Sequence, residues 1–143
     1  MIPQKFIIVF IVLLMIVLVI SCVQEKSAPP AKKVSKRIGM VIGIKPEVIQ
    51  EYKKLHADSN PGVRDLLTTA NMENFSIFIH QFDDGNYYLF GYYEYTGTDF
   101  DKDMAEIAVK DRNIAWLKVC DPMQIPFEGQ NSWSVMEQVY YNK

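Results

Sequence analysis

Between Arg37 and Tyr141 the apolar residues recur in two rhythms, and the switches between them mark the elements. Arg37 to Ile44 is a short apolar run that reads as a buried strand. Lys45-Pro46 ends it, and Pro46 suits the first turn of a helix. Val48, Tyr52 and Leu55 then keep helical spacing through His56, until Asp58-Ser59-Asn60-Pro61-Gly62 interrupts it. A second helical piece carries Val63, Leu66, Leu67 and Ala70 on one side. Phe75 to Phe82 is aromatic and β-branched, and reads as a strand. Asp83-Asp84-Gly85-Asn86 supplies a tight turn, and Tyr87 to Tyr95 is the return strand of a hairpin. Gly97 to Lys110 is a helix with Thr98 or Asp99 near its start and Phe100, Met104, Ile107 and Ala108 on its apolar face. Asp111 to Val119 continues helically and carries Trp116. Pro122, Pro126 and Gly129 break the chain into a loop. Trp133 to Tyr141 reads as a last strand with Trp133, Val135, Glu137, Val139 and Tyr141 on one side.

The order β-α-β-β-α-β predicts an α+β fold of the ferredoxin-like kind, with a four-stranded antiparallel sheet covered by helices on one face. Both faces of the predicted strands carry large apolar or aromatic groups. The open face therefore calls for a second subunit, giving a two-fold dimer that closes a barrel-like pair of sheets, a dimeric α/β barrel.

The first 22 residues stand apart from this pattern. Phe6 to Ile20 is an unbroken apolar run of 15 residues, short of the about 20 that a spanning helix needs. It matches the hydrophobic region of a secretion signal. It ends in Val19-Ile20-Ser21-Cys22, which looks like the lipobox of bacterial lipoproteins, with Cys22 the lipidated residue. Residues 23–37 hold nothing that builds a core and read as a flexible tether. The expected organisation is a signal peptide and lipobox over 1–22, a tether over 23–37 and one domain over 38–143. A lipid at Cys22 would anchor the chain to a membrane of the cell envelope, on the periplasmic or cell-surface side.

Charge and cysteine content narrow the function. Residues 38–143 carry 9 Lys and Arg against 16 Asp and Glu, and an acidic domain without a basic stripe argues against nucleic-acid binding. Cys120 is the domain's single cysteine, so no disulfide forms within it and a small buried residue is the simplest reading. No zinc-type cluster, phosphate-cradling loop or nucleophile elbow is present in the sequence. The two histidines, His56 and His80, lie on different elements, so a metal site is not indicated. His80 alternates with Ile79 and reads as a structural strand residue.

Candidate chemistry concentrates on Tyr52 and His56. Four residues apart on a helix, they place a phenol and an imidazole on one face. Histidine is the side chain best suited to moving protons near neutral pH. Tyrosines are dense in the domain, and a tyrosine-rich concavity suits a polyhydroxylated ligand.

These pieces, in this order, resemble the L-rhamnose mutarotase family from about Lys36 to Tyr141. The resemblance is carried by Lys45-Pro46 with Glu51-Tyr52-Lys53-Lys54-Leu55-His56, by Glu73-Asn74-Phe75-Ser76-Ile77-Phe78, by Tyr88-Leu89-Phe90-Gly91-Tyr92-Tyr93-Glu94, by Ile114-Ala115-Trp116-Leu117 and by Met136-Glu137-Gln138-Val139-Tyr140-Tyr141. It implies a cofactor-free enzyme that interconverts the α and β anomers of L-rhamnose or a related monosaccharide. His56 would stand at the family's proton-donor position and Tyr52 at a sugar-contacting tyrosine. Trp116 would match the second of two adjacent tryptophans lining the sugar pocket. The first of that pair is Ala115 here, and a second sugar-contacting tyrosine is Phe75. A lost hydrogen bond to a sugar costs ~0.5–1.5 kcal/mol, enough to change preference.

Anomer exchange opens a hemiacetal, rotates the aldehyde and recloses the ring. It needs a proton taken from the anomeric hydroxyl and one given to the ring oxygen, a task for a histidine with a pKa near ambient pH. On this reading His56 donates to the ring oxygen, Tyr52 orients the sugar or the imidazole, and Trp116 stacks on the sugar's apolar face. Two other classes share the fold: a non-catalytic sugar-binding envelope lipoprotein, favoured by Phe75 and Ala115, and another dimeric α/β-barrel enzyme of oxygenase type.

Overall fold

A long central strand organises the molecule. In the computed structural model, which describes residues 32–142, strand β1 (Lys36–Ile44) pairs antiparallel with β3 (Tyr87–Tyr95) along its whole length, from Lys36↔Tyr95 to Ile44↔Tyr87. β2 (Met72–Gln81) pairs antiparallel with the far side of β3. The predicted Asp83–Asn86 turn closes that hairpin, with Gly85 N donating to Phe82 O at 2.9 Å and Phe82 N to Asn86 O at 3.0 Å. On the other edge of β1 lie two short strands, β4 (Gln124–Ile125) and β5 (Ser134–Met136). The sheet order is β2-β3-β1-β4, with β5 also on β1. The expected four positions are thus filled by five segments.

Among the described residues four α-helices join the strands. A 3₁₀ turn at Pro46–Val48 leads into α1 (Ile49–Leu55), followed by α2 (Arg64–Thr69). After β3 come α3 (Phe100–Ala108) and α4 (Asp111–Cys120). Asp99 starts α3 by accepting a hydrogen bond from Lys102 N at 3.2 Å, leaving Gly97 and Thr98 outside the expected helix. Asp103 then ties α3 to the sheet, accepting from Tyr95 Oη at 2.6 Å and Asn71 Nδ2 at 2.8 Å.

Strand alternation sorts the side chains. Ile42 and Ile44 of β1 and Leu89 of β3 pack with Ile49 and Tyr52 of α1 and with Met123 in the core. Each fully buried aliphatic side chain contributes about 1.5–3 kcal/mol. The opposite face carries Phe78, Phe82, Tyr88 and Phe90, with Phe78 64% exposed. His80 lies on that face with its ring edge against Phe82, 4.8 Å between centroids.

Two expectations are corrected at the far edge. The segment read as pure loop contains β4, because Gly43 lets Ile125 come close. A side chain there would put its Cβ 2.9 Å from Ile125 O. The last strand is only Ser134–Met136, and residues 137–142 run on without pairing. Val139 and Tyr140 are 89% and 77% exposed, so no sheet neighbour rewards an extended ladder there. The signal run, Cys22 and most of the tether lie outside the described residues. Among the described residues no helix is long and apolar enough to cross a membrane.

Candidate active site

The C-terminal end of α1 builds the centre of the site. Tyr52 and the capping residue His56 stack with ring centroids 4.1 Å apart and 26° between planes. His56 Nδ1 lies 2.9 Å from the Tyr52 carbonyl oxygen. A carbonyl only accepts, so Nδ1 carries the proton and Nε2 keeps its lone pair. The indole of Trp116 meets the imidazole edge-on, at 5.2 Å and 71°. Burial pushes the His56 pKa below its ordinary value. The Tyr52 carbonyl opposes that shift and the Arg64 guanidinium adds to it. His56 is therefore a neutral base at neutral pH, its reactive nitrogen fixed by the backbone.

Tyr52 is buried at 5% exposure and belongs to the core. Burial, with the nearby Cys120, pushes its phenol up, while the Gln124 side chain pulls it down. The phenol stays protonated at any working pH, so Tyr52 positions the imidazole and does not act as a base. Burial pushes the Cys120 thiol up to about 11. It is no thiolate nucleophile.

The loop after α1 shapes the approach to Trp116. Arg64, opening α2, reaches back to donate to His56 O at 2.8 Å and Asn60 O at 2.7 Å. Asn60 Oδ1 accepts from Gly62 N at 3.1 Å. Gly62 has φ +51°, and a Cβ there would sit 3.1 Å from the Trp116 ring. Glycine permits both the backbone turn and the press of the loop on the indole.

These elements wall a cleft of about 690 Å³, within the size range of small-molecule sites. Tyr52, Leu55 and His56 come from α1, Phe75 and Ile77 from β2, and Asn113, Trp116, Leu117 and Cys120 from α4, with Trp133 completing the wall. Phe75 reaches it through a β-bulge. Between Glu73 and Ser76 the register shifts, Asn74 adopts φ +54°, and Phe75 stacks on Tyr93 at 5.3 Å. Among the described residues no three His, Cys, Asp or Glu side chains group to hold a metal.

Four sequence-predicted residues thus meet in one cleft: Tyr52, His56, Phe75 and Trp116. Ala115 does not. It is exposed and absent from the wall, because α4 rotates about 100° per residue and turns position 115 away when 116 faces in. The wall position beside Trp116 is Leu117. Sequence reading also passed over Asn113, Gln124 and Trp133. The 113, 116, 117, 120 spacing is a single helical face and was the available signal for Asn113 and Leu117.

Among curated proteins, none matches the chain. The crystal structure of an L-rhamnose mutarotase from Formosa agariphila matches with a TM-score of 0.56 at 22% identity, over 76% of this chain and 100% of that one. At that identity the likeness establishes the fold: a curled antiparallel sheet with helices, ferredoxin-like. The family model for L-rhamnose mutarotase matches residues 37–142, which include every described side chain of the cleft. The chain belongs to the L-rhamnose mutarotase family.

Proposed function

We propose that the cleft interconverts the α and β anomers of L-rhamnose or a closely related 6-deoxy sugar, with His56 moving the proton. Family membership makes the chain a carbohydrate mutarotase, an isomerase. The observation that carries the residue roles is His56 Nδ1 donating to Tyr52 O. It leaves Nε2 as the free base. Nε2 takes the proton from the anomeric hydroxyl as the bond from the anomeric carbon to the ring oxygen breaks. The imidazolium returns that proton to the ring oxygen, which leaves the same carbon. Proton and electron pair balance within the sugar, and rotation of the aldehyde before reclosure exchanges the anomers. Histidine here receives before it donates, as its lowered pKa favours. The Trp116 indole offers the stacking surface for the sugar's apolar face.

Two wider readings accompany this. The exposed apolar face around Phe78 and Phe82 fits a second copy of the chain. Sedimentation equilibrium giving a monomer mass would remove that reading. Anchorage at Cys22 in the cell envelope rests on the sequence run alone. Loss of radiolabelled palmitate on Cys22→Ser is the expected result, and unchanged labelling would count against it. For the activity itself, saturation-transfer NMR across a panel of 6-deoxy and ordinary sugars should find exchange catalysed for L-rhamnose or a near relative. Exchange at the buffer rate for every sugar would refute the proposal.

A further inference from the structure

We propose that Asn113 determines sugar specificity, its carboxamide hydrogen-bonding a ring hydroxyl of the monosaccharide held against Trp116. The inference rests on the mutarotase reading and deepens it. Asn113 is 8% exposed, and among the described residues it is the one buried side chain of amide or charged type. An amide in such surroundings is costly unless hydrogen-bonded. Yet no partner for its side chain is found among the described residues, and its polar atoms are not sealed from access, as Arg37 Nε is. The opening left to them is the cleft, which Asn113 lines.

Its place in α4 supplies the rest. Asn113 lies one turn before Trp116, and residues three and four apart on a helix share a face. Leu117 and Cys120 continue that face, and with Trp116 only a donor, Asn113 is the one side chain on the α4 wall that both donates and accepts strong hydrogen bonds. Trp116 in turn touches His56 edge-on. A sugar stacked on the indole with its anomeric carbon at His56 has hydroxyls along its rim. A carboxamide offers both donor and acceptor, the match for a hydroxyl that does both. Phe75 has no hydroxyl to give on the opposite wall, and among the cleft's polar side chains, with Asn60, Arg64, Gln124 and Ser132 nearer the solvent, Asn113 is the buried one.

The test is a sugar panel in which each hydroxyl is removed singly. Affinity is read by titration calorimetry and exchange by saturation-transfer NMR, on wild type, Asn113→Ala and the isosteric Asn113→Asp. Asn113→Ala should weaken binding of the parent sugar about 3- to 10-fold. One deoxy analogue should bind wild type equally weakly and lose less than twofold further in the variant. Asn113→Asp keeps the shape and removes the amide donor, so it should shift the order of preference across the panel even if Asn113→Ala fails to fold. If wild type binds and exchanges a sugar while the folded variants keep every affinity within twofold, Asn113 is structural and this inference alone falls. If wild type neither binds nor exchanges any sugar, the mutarotase reading falls and takes this one with it.

Discussion

Replacing His56 by Asn separates the chemistry of the imidazole from its packing. The Asn amide nitrogen falls where Nδ1 stood, so the contact to the Tyr52 carbonyl can persist, while Nε2 is gone. General-base catalysis by one positioned side chain is worth about 10²–10⁴ in rate, or about 3–5 kcal/mol of barrier. Exchange at saturating sugar should therefore fall at least a hundredfold. Stability changes less. The variant loses the stack on Tyr52 and the edge contact with Trp116, at about 0.5–1.5 kcal/mol each. That is tolerable against the 5–15 kcal/mol by which domains are usually stable. The assay inverts one anomeric proton signal and follows its transfer to the other, with calorimetric melting to confirm the fold. Exchange within threefold of wild type, in a variant that melts cooperatively and still binds sugar, would show that His56 is not the proton carrier.

Other outcomes follow from the same geometry. The His56 pKa is depressed in the folded chain, so base catalysis is full at neutral pH and falls as pH drops through that lowered value. The stability contribution has the same sign: it is present above the unfolded pKa of about 6.5 and lost on acidification. Arg64→Gln removes one cause of the depression and should move the acid limb of the pH–rate profile to higher pH. An unmoved limb would separate Arg64 from His56. Leu117→Trp places a second indole on the cleft wall and should lower KM about 2- to 10-fold by added stacking. Ala115→Trp, on the exposed side of the helix, should leave KM alone, and the reverse result would misplace the α4 face.

The sheet was legible in the sequence because its strands are bounded by strong local signals. Tyr87–Tyr95 has the expected bounds, since a tight turn precedes it and Gly97 follows. β4 was hidden because two residues carry no periodicity, and only the close approach at Gly43 reveals the pairing. The final strand was overread because Val135, Val139 and Tyr141 alternate as a strand would, while nothing pairs beyond Met136. The Tyr52–His56 half of the site was readable from helical spacing. On α4 the resemblance points to Ala115 beside Trp116, while helix rotation turns Ala115 outward and puts Leu117 on the cleft wall. Asn113 left no pattern in the sequence beyond that rotation.

The bulge at Asn74 and Phe75 also bears on how this cleft can change. In a regular strand, Met72 and Phe75 would point to opposite faces, being an odd number of residues apart. The extra residue opposite Tyr93 restores both to the cleft side. Deleting Asn74 would remove the bulge and leave Met72 and Phe75 two residues apart, on one face of a regular strand, with the hairpin turn and the β1–β3 ladder untouched. Loss of one residue at this point therefore keeps the same β2 side chains on the cleft side and changes only the local bend that presents Phe75.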